Sequence, residues 1–165
     1  MRYLPLIFFL FVTASTFAKD TFPKTFTSIV IEVQKEYSPD SFERMIKPLF
    51  VTTIASVETA NGTFKNADTA KRANNYTGRH AIGKEKFLLT AGGVKLKKYD
   101  NIEDSIRDFL NLMTHGRYYE EFRITVREGK SIEDQFKTLN KYATNPNYTD
   151  ILLNVYKKIK KGSLN

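Results

Sequence analysis

The sequence contains no cysteine. That excludes disulfides, a thiol nucleophile, thiolate metal sites and a lipid anchor attached through cysteine. Tryptophan is also missing, and His80 and His115 are the only two histidines. They lie far apart without ligand spacing, so the sequence offers no metal site and calls for no cofactor. No serine is accompanied by a convincing histidine and aspartate set for nucleophilic catalysis. The longest apolar run is too short for a comfortable membrane span. Neither internal repeats nor low-complexity linkers are found.

What is present suits a folded domain. The chain has 165 residues, 41% of them apolar and 27% charged. That is long enough for one domain with a real core, and the composition is globular rather than disordered. The formal net charge is +8, so the surface attracts polyanions such as nucleic acid, anionic headgroups or an acidic wall polymer. The charge is spread out, with short runs only at 95–98 and 157–161. Most of it therefore reads as solvated surface. No groove-reading helix or aromatic sheet motif points to nucleic acid, and no nucleic-acid partner is expected.

The first residues speak to compartment. Arg2 is followed by an apolar run from Leu4 to Val12, then by small residues ending in Thr16-Phe17-Ala18. This is the pattern of a secretory signal peptide over residues 1–18, imperfect because Thr16 holds the first small position. Its removal takes the formal charge from +8 to +7 and leaves 19–165 as a single domain. Export without cysteine fits a bacterial periplasm or cell envelope better than eukaryotic secretion, with no stable membrane span after cleavage.

Periodicity gives the elements. Thr25–Tyr37 reads as a helix with Phe26, Ile29, Val30 and Val33 on one face. Ser41–Val57 is amphipathic and wide enough to be largely buried, with Pro48 marking a kink or a break into two helices. Residues 61–83 are polar and rich in Asn and Gly, with at most one helical turn near 67–72. Lys86–Thr90 and Val94–Tyr99 flank Ala91-Gly92-Gly93, a β-hairpin signal. Asn101 caps a helix with Ile102, Ile106, Phe109, Leu110 and Met113 inward. Residues 118–128 form another helix, and Ser131 starts the next with Asp134 placed for a reciprocal capping bond. A loop at 142–146 precedes a last helix with basic residues at its C-terminal end. The expected class is α+β, mainly α, with a small β-hairpin lobe beside a cleft.

One acid stands at the seam of that layout. Glu58 follows Ile54, Ala55 and Val57 at the end of a core helix and precedes a glycine turn. Desolvation raises a carboxyl pKa because the charged form suffers, and the negative helix end pushes the same way. A carboxyl kept protonated near neutrality is what glycoside hydrolysis requires of its general acid.

The order of motifs sharpens this. "SVETANGTF", "NNYTGRHA", "LKKYDNIEDSIRDFLNLM", "HGRYYEEFR" and "YATNPNYTDILLNVYKKI" follow one another. From Phe42 to Ile159 the chain resembles the glucosaminidase family of peptidoglycan hydrolases (glycoside hydrolase family 73 and its Bax-like relatives). The most specific parts are "KKYDNIEDSIRDF" and "YATNPNY". The resemblance implies a lysozyme-like fold and hydrolysis of the β-1,4 bond after N-acetylglucosamine in peptidoglycan glycan strands, by a monomer. It places Glu58 as catalytic acid and Tyr142 as a cleft tyrosine that positions substrate. Asn75, Tyr76 and Gly78 match a stretch that lines the cleft. The chain departs from the family pattern at Ala60 and Asn61, which stand where Gly and Trp are usual, and at Asn145, which stands for Asp.

The second catalytic group is less defined. Glu85 is the only carboxylate between Asp68 and Asp100. As a base it would activate water on the opposite sugar face, about 6.5–9.5 Å or more from Glu58. The substrate's own acetamido group is the alternative. Tyr118 and Tyr119 are candidates to line a sugar cleft, one of them in the core. Tyr99 and Asp100 read as ending the hairpin and capping a helix rather than as chemical groups. The replaced Trp and the uncertain second acid leave a competing reading, a non-catalytic cell-wall glycan-binding module on the same fold.

Overall fold

The computed structural model describes residues 21–63 and 68–162. The expected signal peptide, 1–18, lies outside the described residues. The elements run α1 (Phe22–Gln34), α2 (Phe42–Met45), α3 (Pro48–Thr59), α4 (Asp68–Arg72), β1 (Phe87–Leu89), β2 (Lys95–Lys97), α5 (Ile102–His115), α6 (Glu120–Arg127), α7 (Ile132–Lys137) and α8 (Tyr148–Lys160).

α3 is the central element. Phe50 through Ser56 and Thr59 are all buried, as expected of a helix apolar nearly all round. α1 covers one side of it and α8 another. Pro48 does not kink a long helix; it sits in the first turn of α3, where its missing N–H costs nothing. Ile46 and Lys47 are extended, so the segment is two helices. Gln34 secures the elbow by donating to the carbonyls of Glu43 (2.6 Å) and Ile46 (2.7 Å). Phe50 stacks on Phe122 and Phe136, with centroids 4.8 and 5.2 Å away, which ties α3 to α6 and α7.

The caps follow the sequence with one difference. Asn101 Oδ1 accepts from the Asp104 N–H at 2.8 Å. Ser131 Oγ accepts from the Asp134 N–H at 3.1 Å and also donates to Asp134 Oδ2 at 2.7 Å. The reciprocal bond thus closes between side chains, because Asp is one methylene shorter than the Glu of a capping box.

β1 and β2 pair antiparallel, Leu88 opposite Leu96, with Leu89 opposite Lys95. The stretch before them is less irregular than its composition implies. His80 bridges to Leu96, and the Ala81 N–H and Arg79 carbonyl bond to the other edge of β2. The hairpin thus gains a third, short edge. Asn75 fixes the loop leading into it: Nδ2 donates to the carbonyls of Arg79 (2.7 Å) and Lys97 (2.9 Å), and Oδ1 accepts from the Arg79 N–H (3.0 Å).

Candidate active site

Glu58 occupies the last turn of α3. Beyond it Ala60, Asn61 and Gly62 all take positive φ (48, 59 and 76°), which reverses the chain sharply. Gly62 is required there because a Cβ would meet the Phe22 ring at 2.2 Å. The loop 75–79 returns over the end of α3, so that a Cβ on Gly78 would lie 2.7 Å from Glu58 Oε2. Gly78 also has φ +69°. A larger residue here would strain the left-handed backbone and push the carboxylate aside. Since Asn75 ties this loop to β2, Glu58 lies at the junction of the helical body and the β lobe.

Three tyrosines converge on the acid. The Tyr148 hydroxyl, at the start of α8, donates to Glu58 Oε1 at 2.7 Å. Tyr142 stacks on Tyr148, centroids 5.9 Å apart and 22° inclined, and its hydroxyl donates to the Thr77 carbonyl. Tyr119 packs behind Tyr142 at 6.4 Å. Burial raises the Glu58 carboxyl above its usual range, against the opposing pull of the Tyr148 hydrogen bond. Burial likewise pushes the Tyr142 and Tyr148 phenols upward, reinforced by the nearby Glu58 charge. Both remain neutral hydrogen-bond donors. Beside Tyr148, Asn140, Thr144, Asn145 and Thr149 line a small cavity of about 170 Å³ with neutral polar groups.

A second cluster lies on the β lobe. Asp108 of α5 accepts from Arg79 Nε (3.2 Å), Lys97 Nζ (2.9 Å) and the Tyr99 hydroxyl (2.7 Å). Lys97 also pairs with Glu85 Oε1 at 2.6 Å, while Glu85 Oε2 accepts from the Ile82 N–H at 2.8 Å. Burial works to raise the Glu85 carboxyl, but Lys97 and the Ile82 N–H outweigh it and hold it below the usual range. Glu85 is therefore ionised, with both oxygens engaged.

The residues singled out in the sequence fall into different places. Glu58, Gly78 and Tyr142 share one site. Asn75 is buried and organises the loop, with its amide engaged by backbone partners. Tyr76 is a correction: its ring lies in the core, 6.2 Å from Phe22 and 5.5 Å from Phe26. The pinned loop turns this ring inward. Tyr118 is 57% exposed, with the Arg117 guanidinium over its ring, and it is Tyr119 that joins the tyrosine group. Tyr148 and Asp108 were missed. The signal for Tyr148 was the second tyrosine of "YATNPNY"; that for Asp108 was its place in "DSIRDF". Among the described residues no three His, Asp or Glu side chains gather as for a metal ion.

Known proteins resemble this chain in sequence profile and in fold. The profile of the Glucosaminidase family (mannosyl-glycoprotein endo-beta-N-acetylglucosaminidase) matches residues 35–161. No curated protein sequence matches the chain. The catalytic domain of the autolysin Auto from Listeria monocytogenes superposes with a TM-score of 0.63 at 18% identity, over 92% of this chain and 90% of that one. A C-terminally truncated glycoside hydrolase domain of FlgJ from Salmonella typhimurium gives 0.62 at 16% identity, over 87% and 99%. A chain from a type VI secretion effector–immunity complex of Pseudomonas protegens gives 0.60 at 16%, over 88% and 93%. At such identities these neighbours speak for a shared fold, mainly helical and lysozyme-like with a two-stranded sheet. The family profile, spanning most of the chain, goes further: this protein belongs to the Glucosaminidase family and is a glycoside hydrolase.

Proposed function

We propose that the chain is an exported peptidoglycan hydrolase that cuts the β-1,4 bond after N-acetylglucosamine, with Glu58 as general acid. The observation that carries this reading is the Glu58 carboxyl, raised by burial and held by Tyr148 between the helical body and the β lobe. With Tyr148 donating to Oε1, the acidic proton belongs on Oε2, the oxygen beside which Gly78 leaves space. Oε2 gives that proton to the glycosidic oxygen as its bond to the sugar carbon breaks. The Tyr148 hydrogen bond then supports the carboxylate left behind. Water completes the reaction at the sugar carbon.

The engagement of both Glu85 oxygens favours the substrate's 2-acetamido group, rather than Glu85, on the opposite sugar face. The signal-like N-terminus supports export, and the basic surface supports docking on an anionic wall. Among the described residues no helix is long and apolar enough to cross a membrane.

The test is digestion of purified sacculi, with fragments read by mass spectrometry. The expected product carries N-acetylglucosamine at its reducing end. Glu58→Gln is expected to lose activity by about 10²- to 10⁴-fold, the usual worth of a positioned acid. Equal activity of variant and wild type would remove Glu58 from this role. Reducing-end N-acetylmuramic acid would overturn the bond assignment.

A further inference from the structure

The β-hairpin carries an exposed surface of mixed apolar and basic side chains. Ile82, Phe87, Leu89 and Val94 are exposed, at 64, 39, 56 and 39%. They fall within a single short segment, where the register puts Phe87 and Leu89 on one face of the hairpin and Val94 on the other. Lys84, Lys86, Lys95 and Lys98 are interleaved with them and exposed. None of these four lysines has an acidic partner among the described residues, since Glu85, the only acid of the segment, is taken by Lys97. The pairing of Leu89 with Lys95 puts Phe87, Leu89 and Lys95 on one face, where the Lys95 ammonium lies 4.8 Å from the Phe87 ring centre. The turn that follows is exposed, and a Cβ on Gly93 would meet nothing within 4 Å. The tip projects free of the body.

We propose that this hairpin docks the protein on an anionic phospholipid surface. Unpaired lysines complement lipid phosphates, and apolar side chains between them enter the headgroup boundary, the combination that distinguishes interfacial binding. A soluble polyanion would use the lysines and leave Ile82, Phe87, Leu89 and Val94 in water. The apolar content therefore selects a bilayer over a polymer. The proposal does not depend on the reaction assigned to Glu58.

The absence of tryptophan gives a clean reporter. Leu89→Trp places the chain's only indole in the hairpin, so its emission reports the surroundings of that residue. Vesicles of phosphatidylglycerol and phosphatidylcholine are expected to shift that emission to the blue, and pure phosphatidylcholine vesicles are not. Adding Lys95→Gln in the same background is expected to raise the half-saturating anionic lipid concentration about fivefold. Adding Phe87→Ser is expected to weaken binding while the far-UV circular dichroism stays that of wild type. No shift with anionic vesicles would overturn the proposal. So would an equal shift with soluble polyphosphate, which would assign the hairpin to a polymer. A shift produced by N-acetylglucosamine oligosaccharides would return these residues to glycan binding, and one produced only by a protein fraction would make the surface a protein interface.

Discussion

Gly78→Ala separates the chemistry of the site from the stability of the fold. The added methyl would lie 2.7 Å from Glu58 Oε2 and 3.2 Å from its Cδ, where ordinary contact begins at 3.4 Å. The carboxylate must shift by roughly 0.7 Å, the difference between those distances, which disturbs its 2.7 Å bond with Tyr148. A misplacement of about 1 Å at a reacting group costs on the order of 10²-fold in rate. The backbone adds a stability term, since φ is +69° at this position. A left-handed non-glycine residue costs about 1–2 kcal/mol, offset by about 0.4–1 kcal/mol from a less flexible unfolded chain. The net loss of about 1 kcal/mol lowers Tm by about 2–4 °C. Gly83→Ala is the matched control: φ is +61° and nothing lies within 4 Å of its Cβ. Both variants are expected to melt slightly early in differential scanning calorimetry, while only Gly78→Ala loses glycan cleavage. Activity of Gly78→Ala within twofold of wild type, or equal losses in the two variants, would refute the packing of Gly78 on the acid.

Three further outcomes follow from the same site. Tyr148→Phe removes the hydrogen bond that lowers the Glu58 carboxyl, so the alkaline limb of the pH–rate profile should move to higher pH as the rate falls; an unmoved limb would show that Tyr148 does not act on the acid. Because the folded pKa of Glu58 is raised above the ordinary 4.5, the folded state holds the proton more tightly, and stability falls as pH rises from the unfolded to the folded value. Glu58→Gln should therefore melt higher than wild type at neutral pH, with the gap closing below pH 4.5. Ala60→Gly relieves a left-handed alanine at φ +48°. It should gain about 0.5–1 kcal/mol in urea unfolding, from the left-handed cost less glycine's added entropy.

Local chemistry was legible in the sequence. The stripe of Phe26, Val30 and Val33, the Asn101 cap and the break at Pro48 each act over a few residues, and the structure follows them. The position of Glu58 at the end of a buried helix was legible for the same reason. What escaped is long-range. Tyr148 meets Glu58 across 90 positions, and no period connects them. Asp108 looks like any charged residue on an amphipathic helix, until Arg79, Lys97 and Tyr99 arrive from the β lobe. Tyr76 misled because a motif fixes which loop a residue is on, not which way it turns. The three Asn75 hydrogen bonds decide that.

The ninety-residue reach from Glu58 to Tyr148 also sets the timing of competence. During synthesis the helix bearing the acid emerges early, but its hydroxyl partner emerges only with the final helix. A nascent chain carries the acid without the tyrosine that bonds to it. A nick in the 139–147 connection would likewise disarm the enzyme without touching Glu58. Until the 148–160 helix docks, Glu58 lacks this partner.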